Sequence, residues 1–409
     1  MTRRVVVTGM GVVSPIGNDV ESFRDSLYNG RHGIGPISQF DTTEYKATLG
    51  AEVKNFNPKD YMENSDIVRS DPNVHFAMAA ACQAVEDSGI MGTLPPERFS
   101  VYFGTGIGGI QTFTAEMDKL RSKGPRRVSP YFIPMMIANM AAGMIAIRFN
   151  CQGAALPAVT ACASGSNAIG EALRAIRHGY CDAAIAGGGE ASIAECGVAG
   201  FINMQALSTA KDPDAASLPF DSRRGGFIIG EGAGALILEE YEHALARGAT
   251  IYGEVCGYGS TCDAHHITAP HPDGLGAVRA MKAALDEAGY TDETKLYINA
   301  HGTGTPLNDA METKAIKTLL GEKAKETPVS STKSMTGHML GAAGAAEAIA
   351  CLLALREGML PPTVGLHSPD PECDLDYVPL TARRAEIDMA LSNSLGFGGH
   401  NACLAFRKI

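Results

Sequence analysis

The sequence predicts a duplicated α/β fold: two similar units whose strand ends face one shared cleft. Three observations carry this reading. Short apolar runs recur and feed directly into glycine-rich loops, as at Phe103–Gly109 and Ala300–Thr305. Each half then sends an apolar stretch into an Ala/Gly-rich helical pattern, from Val159 in the first and Val329 in the second. Sites in α/β sheets lie at strand C-termini, which would gather Cys162, His301 and His338 in one place. A chain of 409 residues, 45% apolar, is long enough for two or three domain-sized units. The division is placed between residues 1–250, which hold Cys162, and residues 251–409, which hold both histidines.

Taken in order, Arg4–Ser14 reads as a buried strand and a glycine turn. Asp19 or Asn18 then caps a helix over Val20–Tyr28 that ends at Gly30. Residues 31–71 are loop-rich, and Val74–Asp87 is an amphipathic helix. Strand Ser100–Phe103 enters Gly104-Thr-Gly-Ile-Gly-Gly109, which matches the G-x-G-x-x-G of dinucleotide sites. About 20 positions on, where that motif needs an acid, stand Lys123, Pro125, Arg126 and Arg127, so the run is read as a tight turn lining a substrate channel.

In Pro157-Ala-Val-Thr-Ala-Cys-Ala-Ser-Gly-Ser-Asn167, an apolar strand signal (Ala158, Val159, Thr160) runs into Cys162. A helix over Ser164–His178 follows, stopped by Gly179. A thiol at a helix N-terminus meets unpaired N–H groups that favour thiolate. The stretch alone leaves two readings open, a nucleophile and a buried structural cysteine.

Further strands are expected at Asp182–Gly188, Ile251–Tyr258 and Lys295–His301, the last delivering His301 into a glycine loop. Asp309 is expected to cap the next helix, with Glu312 in capping-box register. Pro328–His338 reads as strand, then loop, then histidine, and opens a helix over Gly341–Arg356. Ala390–Phe406 reads as strand, glycine loop, strand. The histidines of Cys262–His271 adjoin one another and rarely converge on a metal from such a segment, so that stretch is read as a polar rim and no metal is expected.

Composition narrows the function classes. Thirty-four basic against 45 acidic residues give a net charge of −11, which argues against nucleic acid. An acidic partner would need a local basic patch, and Lys119–Arg127 is the densest basic run. Ten scattered cysteines without a C-x-x-C pair, and no signal-like N-terminus, lead to the expectation of a reducing cytoplasm. The most apolar window, Met135–Ile147, is too short to cross a bilayer and contains Asn139, so no membrane insertion is expected.

Four runs together resemble the β-ketoacyl-acyl-carrier-protein synthases, and among them the elongating, synthase II type of bacterial fatty acid synthesis. They are Val159-Thr-Ala-Cys-Ala-Ser-Gly, Asn299-Ala-His-Gly-Thr-Gly-Thr, Ser331-Thr-Lys-Ser-Met-Thr-Gly-His-Met-Leu-Gly-Ala-Ala-Gly and Asn393-Ser-Leu-Gly-Phe-Gly-Gly, in family order along essentially the whole chain. The resemblance implies a thiolase-like fold in α-β-α-β-α layers, a homodimer, and a decarboxylative Claisen condensation between an acyl group on cysteine and malonyl-acyl-carrier protein. It implies acyl-carrier protein as partner and no cofactor. It makes Cys162 the nucleophile, completed by His301 and His338. Lys333 is implied in the supporting polar network, with a merely structural role still open. Phe397 is implied as a gate, Ile107 beside the acyl chain, and Thr303 and Thr305 along the pantetheine arm.

Departures from the family pattern stand at Asn64–Asp71, where a basic cluster is common, at Gln205, where Arg is common, and at Gly225, where Asp is common. Docking of the carrier protein is therefore expected to lean on Arg126, Arg127 and Arg69. A polyketide ketosynthase and a non-elongating partner subunit of the same fold are the alternatives. The second typically lacks the nucleophile, which is present here.

Overall fold

The computed structural model describes residues 3–409. Its frame includes the ten strands of the main sheet and seven helices, in chain order β1 (Val5–Val13), α1 (Pro72–Ser88), β2 (Phe99–Gly104), α2 (Ile110–Lys123), β3 (Ala155–Leu156), α3 (Ser164–Arg177), β4 (Ala183–Glu190), α4 (Glu195–Asn203), β5 (Gly232–Glu240), β6 (Gly253–Cys262), α5 (Leu275–Ala288), β7 (Leu296–Asn299), α6 (Pro306–Leu320), β8 (Val329–Ser330), α7 (Ala343–Glu357), β9 (Met389–Gly396) and β10 (His400–Arg407).

The strands join in the order β8-β7-β9-β10-β6-β1-β5-β4-β2-β3. Read outward from the centre, β1-β5-β4-β2-β3 and β6-β10-β9-β7-β8 are the same arrangement twice. In each, the two outer pairings are parallel and the inner ones antiparallel. The halves meet where β1 and β6 pair only through Val6–Glu254 and Val7–Gly253.

Helices α3 and α7 pack on each other and on strands of both halves, while α1 covers the outside of one half and α5 with α6 the other. The order of layers is thus α-β-α-β-α, the thiolase-like arrangement that the resemblance implies. The middle layer explains the composition of α7: every residue from Ala343 to Leu355 is buried. A helix enclosed on all sides carries apolar residues all round, and small ones allow close crossing. A Cβ at Gly344 would stand 2.2 Å from Ser166 Oγ of α3.

The expected helix over Val20–Tyr28 is present, with Asp19 and Ser22 forming its capping box. Two expectations are corrected. Ala158–Thr160 is not a strand, because the ladder stops at Leu156 and the following segment drops out of the sheet to reach the Cys162 turn. Asp309 does not cap α6, which starts at Pro306 with Thr305 as its N-cap. The carboxylate of Asp309 instead accepts from the backbone N–H groups of Phe220 and Gly304 at 2.8 and 3.2 Å, so it braces loops outside its own helix.

Candidate active site

Cys162 lies in a single 3₁₀ turn, Ala161–Ala163, that runs into α3. Ala161 has φ +50°, a left-handed conformation that costs an alanine about 1–2 kcal/mol. The turn is held by its neighbours. Ser164 Oγ accepts from the Thr160 N–H at 2.9 Å and lies 3.0 Å from the Thr105 carbonyl, and Thr160 Oγ1 donates to Asn167 Oδ1 at 2.6 Å. Cys162 itself is buried. Burial pushes its thiol up to about 12; Glu190 adds to the rise, while Lys333 and the backbone N–H groups of Cys162 and Phe397 oppose it. The helix N-terminus therefore does not make a resting thiolate here, against the expectation from position alone. Desolvation is the larger effect.

His301 follows β7 by two residues. Its backbone N–H and that of Gly302 both donate to the Glu312 carboxylate at 2.8 Å, so the acid expected in a capping box reaches across to fix the histidine loop. His338 is held through its backbone, donating to Ile228 O and accepting from Gly230 N–H. Its Nδ1 accepts from the Leu340 N–H at 3.3 Å, which leaves the ring proton on Nε2. The two imidazoles stand edge to face with centroids 5.3 Å apart. Burial, with the positive charge of Lys333 nearby, holds both well below the usual histidine range, so both are neutral. His301 Nδ1 is buried without a hydrogen-bond partner, so its tautomer is open to what binds.

Lys333 is 1% exposed and forms an ion pair with Glu347, an acid buried on α7. Asn299 Oδ1, Ser392 Oγ, Asn393 Oδ1 and Glu347 Oε2 are also buried without hydrogen-bond partners. Ser392 stands opposite Asn299 in the parallel ladder.

Cys162, His301 and His338 line one cavity of about 280 Å³ together with Thr303, Thr305 and Phe397. The Thr303 and Thr305 hydroxyls are 2.9 Å apart. Phe397 belongs to the Gly396–Gly399 loop and begins an aromatic run: its ring is 6.4 Å from Phe201, Phe201 is 5.4 Å from Phe227, and Phe227 is 5.1 Å from His338. Ile107 does not line this cavity and is 40% exposed in the single chain. Arg126 and Arg127 are exposed on the turn Pro125–Arg127, and the exposed Arg69 stacks over Tyr131, four residues beyond Arg127, at 4.9 Å.

Sequence reasoning passed over Glu190, Glu347, Phe201 and Phe227. A lone acid inside an otherwise apolar helix (Glu347), or closing an apolar strand (Glu190), was the available signal for two of them.

Comparison with known proteins agrees with this architecture. The family description "Beta-ketoacyl synthase, N-terminal domain" matches residues 2–244 and "Beta-ketoacyl synthase, C-terminal domain" matches residues 252–367. A Synechocystis protein named 3-oxoacyl-[acyl-carrier-protein] synthase 2 is 52% identical over 99% of this chain and 98% of its own length. A Staphylococcus aureus protein of the same name is 49% identical over 99% and 98%. Among solved structures, the ishigamide ketosynthase/chain length factor superposes with a TM-score of 0.94 at 37% identity, covering 100% of both chains. A Burkholderia phymatum β-ketoacyl synthase does so with 0.92 at 33%, again over 100% of both. With the two family descriptions matching residues 2–244 and 252–367 and relatives aligned over 99% of its length, the chain belongs to the β-ketoacyl synthase family.

Proposed function

We propose that the chain is an elongating β-ketoacyl-acyl-carrier-protein synthase, an acyltransferase of fatty acid synthesis. The observation that carries this reading is a buried thiol sharing one cavity with two neutral imidazoles beside a charge-paired lysine. The names of the Synechocystis and Staphylococcus relatives support it.

In the first step Cys162 sulfur attacks the acyl thioester carbonyl. The new C–S bond forms, the bond to the carrier's thiol breaks, and the Cys162 proton leaves on that thiol. Because the free thiol is pushed up to about 12, deprotonation accompanies attack, and the backbone N–H groups of Cys162 and Phe397 are the donors available to the oxyanion. In the second step malonyl-carrier protein loses CO2, and the electron pair of the broken C–C bond becomes an enolate on the thioester. A neutral imidazole donates a hydrogen bond to such an oxygen without itself carrying charge. His338 has its proton on Nε2 for this purpose, and His301 shares the task. The enolate carbon attacks the acyl-Cys162 carbonyl, the C–S bond breaks, and the thiol takes up one proton. The product is a 3-oxoacyl chain two carbons longer. Lys333 touches neither imidazole by hydrogen bond and acts through its charge.

Thr303 and Thr305 are assigned to the pantetheine arm, Phe397 to gating, and Ile107 to the acyl-chain end. Arg69, Arg126 and Arg127 are assigned to the acidic carrier protein, an assignment supported by their exposure and by the stacking of Arg69 on Tyr131, near Arg127 in sequence. A structural neighbour at 34% identity, titled a type II polyketide acyl-carrier protein in complex with its ketosynthase, supports a carrier protein as partner. It also supplies the second reading, a polyketide ketosynthase.

The functional halves are taken as 1–250 and 251–409. A homodimer through the free edge of β3 is part of the proposal, supported by the exposed apolar side chains Ile133, Ile147, Leu156 and Val159. Placement in the cytoplasm is supported by ten free cysteines. No helix among the described residues is long and apolar enough to cross a membrane.

The test is intact-protein mass spectrometry with acyl-carrier proteins of graded chain length, followed by malonyl-carrier protein. An adduct on Cys162 that leaves as a 3-oxoacyl product supports the reading. No adduct, or release as free acid, overturns it.

A further inference from the structure

Glu190 closes β4 and is completely buried, yet it makes no ion pair among the described residues. Its carboxylate is instead fully occupied by neutral donors. Oε2 accepts from the backbone N–H groups of Gly106 at 2.6 Å and Gly341 at 3.0 Å, and Oε1 accepts from the hydroxyls of Ser192 at 2.8 Å and Thr105 at 3.3 Å. An acid buried without a cation is expensive to keep unless every lone pair is used, and here both oxygens are.

The partners belong to different halves of the molecule. Gly106 follows Thr105, whose carbonyl faces the Ser164 hydroxyl that holds the Cys162 turn. Gly341 follows Leu340, whose N–H fixes the ring of His338. The fit leaves no slack: a Cβ on Gly106 or on Gly341 would stand 2.7 or 2.8 Å from Glu190 Oε2.

We propose that Glu190 is a positioning residue for the condensing reaction, a single carboxylate that locks the turn bracing Cys162 to the turn orienting His338. The inference rests on the condensing reading above. The two functional groups come from opposite halves of a duplicated fold, and Glu190 is a side-chain link between them, beside the backbone bonds of His338 to Ile228 and Gly230. A displacement of about 1 Å between reacting groups costs on the order of 100-fold in rate.

The hydrogen-bond pattern supplies a discriminating variant. Both donors to Oε2 are fixed N–H groups, whereas both donors to Oε1 are hydroxyls that can rotate and accept. Glu190→Gln can therefore keep all four contacts while losing the charge. Glu190→Asp keeps the charge but withdraws the carboxylate by one methylene. Each variant is assayed as turnover per folded protein, the folded fraction being taken from denaturant unfolding, so that unfolded protein is not counted.

Glu190→Gln is expected to stay within about threefold of the parent, while Glu190→Asp loses about 10- to 100-fold in kcat with KM for malonyl-carrier protein changed less than about twofold. Glu190→Asp is also expected to release CO2 in excess over condensed product. If Gln falls as far as Asp, charge rather than placement is the cause and the inference is overturned; parental turnover in Asp overturns it equally.

A parent protein that makes no 3-oxoacyl product defeats the condensing reading instead. The inference is then read from the ¹⁵N signals of the His338 ring. The Nε2–H tautomer should persist in the parent and Glu190→Gln and give way to a tautomer mixture in Glu190→Asp, and an unchanged His338 in Glu190→Asp would overturn it.

Discussion

The turn that opens α3 and the turn that opens α7 have the same backbone and opposite uses. Each begins with a non-glycine residue in the left-handed region, Ala161 at φ +50° and Leu340 at φ +46°. Each continues as one 3₁₀ turn and passes into a helix of the central layer, 14 residues long in α3 and 15 in α7. The next position is Cys162 in the first half and Gly341 in the second. The first turn faces the cavity. The second is filled by the first half's own backbone, since a Cβ on Gly341 would lie 2.2 Å from Gly106 N. Duplication supplies two equivalent places for a nucleophile, and the asymmetry of the loops leaves room for one. The second half contributes its histidines from strand ends and loops.

The largest expected effect falls on the occupied turn. Cys162→Ala should abolish the acyl adduct in intact mass spectra and lower condensation by ~10⁴-fold or more. Retained acylation would move the nucleophile elsewhere and dissolve the comparison. Next in size, His301→Ala and His338→Ala should still acquire the acyl group but lose malonyl decarboxylation by ~10²–10³-fold, the usual cost of removing a donor to a developing oxyanion. Full decarboxylation in both variants would return the second half to a purely structural role.

How far the site could be read from sequence follows the same division. Residues beside glycine loops were legible: His301 two residues past β7, Cys162 in the turn that opens α3 and His338 just before the turn that opens α7 do share a cavity. What sequence position could not give was the balance between a helix terminus and burial. A helix N-terminus favours thiolate, and at Cys162 burial outweighs it and raises the thiol. Long-range polar contacts were also hidden. The i, i+3 spacing of Asp309 and Glu312 fits a capping box, but both carboxylates cross to other segments, Glu312 to His301 and Gly302, Asp309 to Phe220 and Gly304. Ile107, placed by resemblance at the acyl chain, lies outside the cavity that holds Cys162.

The two halves should also separate in their pH behaviour. A thiol pushed up to about 12 gives an iodoacetamide rate on Cys162 that climbs about tenfold per pH unit from pH 7 to 10 without a plateau. A plateau near pH 8 would show that the helix N-terminus dominates after all. The buried imidazoles run the other way. Their folded values are depressed, so they bind fewer protons folded than unfolded once the pH is below the ordinary histidine value of about 6.5. Their contribution to stability is therefore intact above that pH and is lost as the pH falls below it. Decarboxylation, which uses the neutral rings, should be flat from pH 8 down to about 6, and a loss already at pH 7 would contradict neutral imidazoles.

The smallest effect tests the shared backbone most directly. A left-handed L-residue costs about 1–2 kcal/mol, and glycine removes that cost while adding about 0.5–1 kcal/mol of unfolded-state entropy. At Ala161 little else is lost, because the side chain is one methyl, so Ala161→Gly should leave stability unchanged or raise it by up to about 1 kcal/mol. At Leu340 the same relief competes with the loss of a side chain that is 3% exposed. Removing it forfeits about 2–3 kcal/mol of burial together with a cavity cost, so Leu340→Gly should destabilise by about 1–3 kcal/mol. Denaturant unfolding of the two variants then gives opposite signs for one backbone change at two equivalent positions. Equal signs would mean that the left-handed residues are not equivalent, and that the two turns resemble each other in outline alone.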